Sequence, residues 1–130
     1  MDFMENFRDF VLGPDPFGRS WHVLFRYLQT AISIRHSDSV DVGFLLDSGD
    51  EKMTRTVVLP HGALRAYCQQ SGRKMDDSWC SRLGWCKLRQ MVETAEDLDK
   101  EYLVVTTAEI TEFDAIVRQW EAEFLRQHAA

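Results

Sequence analysis

Apolar positions recur along this chain in two periods, and the change between them divides it into elements. Phe3, Phe7, Phe10 and Val11 recur at helical spacing with acids and Arg8 between them, which predicts a helix over Met1–Leu12. Gly13 would cap it, and Pro14-Asp15-Pro16 forbids continuation, so residues 13–19 are expected as a loop. Residues 20–30 fit both periods. Trp21, Leu24, Phe25 and Leu28 match a helix behind Ser20, whereas Trp21, Val23, Phe25 and Tyr27 alternate as in a strand. Aromatic and β-branched content tips the balance to strand.

From residue 31 the period is two. Ile32 and Ile34 share one face, His36-Ser37-Asp38-Ser39 is a turn cluster, and Val40, Val42, Phe44 and Leu46 alternate with Asp41, Gly43 and Leu45. A second turn, Asp47-Ser48-Gly49-Asp50, leads into Met53–Leu59 with Val57 and Leu59 inward. Short connections make this an antiparallel meander. Pro60 ends it, and a short helix over Gly62–Ser71 is closed by Gly72. A second helix is expected from about Asp77 to Ala95, with Cys80, Leu83, Gly84, Leu88, Met91 and Ala95 on its inner face. Trp85 falls off that stripe, which makes it a candidate for an edge or an interface. Tyr102–Ile110, rich in Val and Thr, reads as a strand. Thr111 then caps a last helix carrying Phe113, Ile116, Val117, Trp120 and Phe124.

Strands segregated from helices give the expected class: a single α+β domain over residues 1–130. Its antiparallel sheet has four or five strands, a three-strand meander at 31–59 plus a strand near 102–110, covered by helices.

Composition supports this reading. With 130 residues, 45% of them apolar and 28% charged, the chain has the length and balance of one ordinary domain. No run of about 18 uncharged apolar residues is present, and the N-terminus lacks a signal peptide's basic start and apolar stretch. Three cysteines cannot all pair with one another, so free thiols in the cytoplasm are the expectation. The net charge of −6 is unevenly placed: residues 1–75 balance nine acids with nine bases, and residues 76–130 hold twelve acids and six bases. That distribution speaks against nucleic acid as a partner and permits a basic protein. Asp76, Asp77, Glu112 and Asp114 are assigned to helix starts, where the helix dipole favours carboxylates.

Chemistry-bearing residues are present, but without the spacing their chemistry needs. Cys68, Cys80, Cys86 and His61 are zinc-ligand types, but no C-x-x-C pair occurs. Cys80 and Cys86 would lie about 120° apart around a helix. The run Asp97-Leu98-Asp99-Lys100-Glu101 starts like a calcium loop, then places Tyr102 and Ala108 where glycine and a closing acid belong. No phosphate loop, nucleophile elbow or paired-histidine zinc motif is present. No metal, cofactor or catalytic residue is therefore assigned.

Two groups remain. His36 in its polar turn, the inward Arg55 with Asp41 as a possible strand neighbour, and His61 at a strand-to-helix junction are candidate ligand contacts in a cleft beside the meander. Trp85 and the acids Glu93, Glu96, Asp97, Asp99 and Glu101 are candidate interaction residues. The functional expectation is a non-enzymatic protein-binding or adaptor domain, with a protein partner or a homodimer and with neither nucleic acid nor membrane. The alternative is a small-ligand binder or enzyme using the cleft.

Overall fold

A computed structural model describes residues 8–31 and 38–128. Four strands follow one another as β1 (Asp9–Leu12), β2 (Trp21–Ala31), β3 (Ser39–Asp47) and β4 (Lys52–Pro60). Two helices come next, α1 (His61–Ser71) and α2 (Asp77–Thr94), then β5 (Tyr102–Val104) and α3 (Thr107–His128). The sheet order is β1-β2-β3-β4-β5, with every neighbour antiparallel except β5, which runs parallel to β4. The result is an open, mostly antiparallel mixed sheet in a single α+β domain.

The sheet alternates as its sequence does. Val23, Val42, Phe44, Leu46, Val57 and Leu59 point into the core, where the helices cover them. Val11, His22, Tyr27, Tyr102 and Val104 stand exposed on the other face. A bulge between Phe25 and Tyr27 resets β2 and sets Tyr27 opposite Gly43. The Tyr27 ring lies over that glycine, where an added Cβ would come within 2.2 Å of it, and its hydroxyl hydrogen-bonds Thr56 Oγ1 at 2.8 Å. On the inner face Gly84 of α2 lets the helix approach β3, since a Cβ there would sit 3.1 Å from Val42.

Several expected elements are corrected. Residues 9–12 are a strand rather than the end of a helix. Paired with Trp21–Leu24, they bury Phe10 and Leu12 at period two, a gain the helical reading of Phe7, Phe10 and Val11 did not weigh. Residues 1–7 lie outside the described residues, as do most of the expected strand at 31–35 and the His36 turn. The first strand of the meander is thus β2, the strand reading of 20–30. Residues 102–110 do not form one strand. Only Tyr102–Val104 pairs, through Thr56 N–H to the Glu101 carbonyl and Val105 N–H to the Val58 carbonyl. Helix α3 then starts at Thr107 rather than after Thr111. The cause is a reciprocal capping box: the Thr106 hydroxyl accepts from Glu109 N–H at 3.2 Å, and Glu109 Oε1 accepts from Thr106 N–H at 3.0 Å. Glu112 and Asp114 consequently lie inside α3, away from its dipole's positive end. Asp76 does cap α2, accepting from Trp79 N–H at 2.9 Å, and Gly72 closes α1 in the left-handed conformation.

Trp85 is 1% exposed, so it belongs to the core and not to an edge. Helix α2 packs against β1, β3 and β4 on one side and α3 on the other, so it buries two faces where a stripe argument allows one.

The β1–β2 loop is organised by a carboxylate. Asp15 is buried and accepts from Phe17 N–H, Arg19 N–H, Arg19 Nε and Trp21 Nε1 at 2.9–3.1 Å. Burial raises its pKa, but these donors outweigh burial and hold it at about 2, below the ordinary 3.8. A depressed folded-state pKa means the stabilisation is complete above the ordinary value and disappears as pH falls through about 2. Urea midpoints of wild type and Asp15→Asn should therefore differ most above pH 4 and converge as pH falls from about 4 to about 2. A gap that stays constant across that window would show the bonds do not act through the charge.

Candidate functional site

Where α1, α2 and α3 meet, a fully buried carboxylate gathers donors from all of them. Asp114 of α3 accepts from Trp79 Nε1 at 2.8 Å, Arg73 Nη2 at 2.8 Å and Arg118 Nε at 2.9 Å, and also from the Tyr67 hydroxyl. The Tyr67 and Trp79 rings stack with centroids 6.0 Å apart and 14° between planes. Arg73, from the α1–α2 loop, also holds Glu121 through both terminal nitrogens at 2.8 and 3.2 Å. Burial would raise the Asp114 pKa, but the bonds from Tyr67, Trp79, Arg118 and Arg73 overcome it and the pKa is lowered. Burial and the carboxylate together push the Tyr67 phenol up. The cluster is a charged lock between helices, with its acceptor capacity filled by the protein itself.

Directly beside it, a groove of about 550 Å³ opens between the N-terminal half of α2 and the C-terminal half of α3. Trp79, Val117, Trp120 and Phe124 supply its apolar surface, and Leu125, 68% exposed, stands at its rim. Trp120 and Phe124 pack with ring centroids 5.3 Å apart, and Phe124 stacks on His128 at 4.1 Å. The α3 stripe seen in the sequence thus does two jobs. Phe113, Val117 and the 7% exposed Trp120 fill the core, while the last turns carry half-buried Phe124 and exposed Leu125 out to the groove. Around the rim stand Arg73, Lys74 and Arg82 with Asp76 and Glu121. The Arg82 guanidinium lies 4.6 Å from the Trp120 ring centre and donates to Ser78. Lys74 is exposed and makes no ion pair among the described residues.

Of the predicted ligand residues, Arg55 and His61 do not share a recess. Arg55 does face inward, in the cross-strand row of Phe25 and Phe44. Its guanidinium donates to the carbonyls of Thr54 and Leu98 and does not pair with Asp41, which accepts from Ser39 Oγ instead. It borders a separate recess of about 340 Å³ with Phe17, Arg19, Trp21, Glu51, Met53 and Asp99. Burial lowers its pKa against the raising fields of Glu101, Glu51 and Asp99. His61 is the first residue of α1, about 20 Å along the strand direction from Arg55. Its Nδ1 lies 3.2 Å from Arg65 Nη2, and it lines neither this recess nor the α2–α3 groove. His36 lies outside the described residues.

The acidic run from Glu93 to Glu101 is exposed over much of its length but is partly neutralised by its neighbours. Glu93 lies 3.9 Å from Arg89 Nε, and Asp97 pairs with Lys100 at 3.0 Å. Asp99 and Glu101 flank Arg55, while Glu96 is exposed beyond the end of α2. The thiols of Cys80 and Cys86 are buried and their pKa values are pushed up to about 12, mainly by that burial, so both stay protonated. Among the described residues no group of three His, Cys, Asp or Glu side chains could hold a metal ion, and no helix is long and apolar enough to cross a membrane.

The groove was the feature that sequence reasoning missed. Its parts were visible as separate signals: Arg73-Lys74 after Gly72, and Trp120 and Phe124 on the last helix. Only the crossing of α2 and α3 brings them together. Comparison of the chain with protein-family models, curated proteins and solved structures gives no match.

Proposed function

We propose that this chain is a non-enzymatic protein-binding domain that receives a segment of a partner protein in the groove between α2 and α3. The observation that carries the reading is the groove's make-up, a floor of buried Trp120 and half-buried Phe124 with Leu125 exposed at its rim, ringed by Arg73, Lys74 and Arg82 with Asp76 and Glu121. Tryptophan and arginine in a concave, partly desolvated setting are the side chains that dominate binding energies between proteins. The volume suits a few side chains of a partner. Binding is favoured over catalysis by the same lining. Among the described residues it holds no imidazole or thiol, and Ser78 is engaged by Arg82. The acidic loop at Glu93–Glu101, with its carboxylates partly answered by Arg89, Lys100 and Arg55, is the weaker of the two surfaces.

The test places the photo-crosslinking residue p-benzoylphenylalanine at Leu125, or at Tyr102 on the open sheet face, in cells that make the protein. Adducts to another protein from position 125 and not from 102 are expected. Adducts from 102 alone, from neither position, or from 125 only to a second copy of this chain would overturn the assignment.

A further inference from the structure

We propose that the segment seated in the groove carries a carboxylate beside a large apolar side chain, so that the domain recognises an acidic, apolar-anchored stretch of its partner. This deepens the protein-binding reading above and rests on it.

The apolar half of the requirement comes from Phe124 and Leu125, backed by the buried Trp120. Leu125 is 68% exposed and lines the same groove as half-buried Phe124, which packs on the buried Trp120, so a bulky apolar group seated there would cover Leu125 and the open side of Phe124. The acidic half comes from charge placement. Arg73 is committed to Asp114 and Glu121. Lys74, next in sequence, lines the groove and has no ion pair among the described residues. Arg82 also lines the groove, held over the Trp120 ring and donating to Ser78. Burial pulls its pKa below the ordinary value although Glu121 and Asp76 raise it, a sign that the guanidinium is partly withdrawn from water. In such surroundings an incoming anion is attracted more strongly than in bulk solvent.

The charge around the groove favours isolated carboxylates over a polyanion. Asp76 and Glu121 share the rim, and the segment 76–130 carries twelve acids against six bases. A chain of phosphates would meet that field along its length, whereas one or two carboxylates need reach only Lys74. With three bases to two acids in its lining, the groove is less acidic than the chain as a whole.

The experiment selects from a displayed library of random peptides of about twelve residues on the immobilised full chain, then measures binding of the enriched peptides. Enriched sequences should combine Asp or Glu with Trp, Phe or Leu. Their binding should be abolished by Leu125→Asp and weakened about three- to fivefold by Lys74→Glu, an effect that shrinks in high salt. Peptides that lose binding with Leu125→Asp but show no acidic preference, or ignore Lys74→Glu, would overturn this inference and leave the protein-binding reading standing. Peptides indifferent to Leu125→Asp, or no enrichment over an unrelated protein, would overturn both. A twelve-nucleotide oligothymidylate that binds more tightly than any selected peptide, and is released by Lys74→Glu, would overturn the peptide occupant. Both variants alter exposed side chains, and unchanged thermal unfolding would verify that each remains folded.

Discussion

Asp114→Ala should lower the free energy of unfolding by about 3–5 kcal/mol, the range expected when one partner of a buried charge cluster is removed. The carboxylate is fully buried and binds Trp79, Tyr67, Arg73 and Arg118. Without it the Trp79 indole N–H is left in the interior with no acceptor, and Arg73 keeps only Glu121. A domain of this size unfolds with a midpoint shift of roughly 3–5 °C per kcal/mol, so a fall of about 10–20 °C is expected. Asp114→Asn keeps an acceptor for Trp79 while deleting the charge, and should lose less than the alanine variant.

The pH dependence separates charge from packing at this site. The Asp114 pKa is depressed in the folded state, so its contribution is whole above its ordinary value near 3.8 and is lost as pH falls through the folded value. Stability measured from pH 6 downward should therefore fall less steeply in Asp114→Asn than in wild type. Parallel curves would mean that the carboxylate acts only as a neutral acceptor. The groove offers a second readout. Arg73 and Trp79 border both the Asp114 cluster and the groove, so Asp114→Asn should weaken peptide binding even at temperatures where it remains folded.

What could be read from the chain follows from how local each signal is. β3, β4 and α1 were legible because alternation and turn residues lie within a few positions of one another, as in Val40, Val42, Phe44 and Leu46 before Asp47-Ser48-Gly49-Asp50. The start of α3 was also written locally, in Thr106-Thr107-Ala108-Glu109, but the Val and Thr content before it argued for a strand and obscured the capping box. β1 is four residues long and owes its state to its partner β2, a contact that periodicity within residues 1–12 does not contain. The parallel placement of β5 is likewise decided across about forty residues, by Val57 opposite Leu103. The candidate site is the extreme case. Arg73 lies more than forty residues from Asp114 and Glu121, and each reads alone as an ordinary charge. Only α2 crossing α3 turns them into one cluster beside one groove.

Trp85→Ala should cost about 3–5 kcal/mol, whereas Leu125→Ala should change stability by less than about 0.5 kcal/mol. The comparison asks whether α2 has one buried face or two. On a one-faced helix Trp85 sits off the stripe of Leu83, Gly84 and Leu88, and its loss would be a surface event. In the structure it is 1% exposed, its ring lies 6.3 Å from Phe10, and Arg89 covers it at 4.8 Å. Phe10 in turn meets Phe44 edge-on at 6.2 Å, and Phe44 meets Phe25 at 6.1 Å, so removing the indole takes the end from an aromatic chain running across β1, β3 and β2. β1 is held by four register pairs and by what α2 presses onto it, so the cavity should loosen that edge of the sheet first. Hydrogen exchange at Phe10 and Leu12 should therefore accelerate more than at Val42 or Val57. A loss below about 1 kcal/mol, together with a wild-type midpoint that rises with protein concentration, would instead make Trp85 part of an interface between copies. Helix α2 would then have a free face to rival the proposed groove.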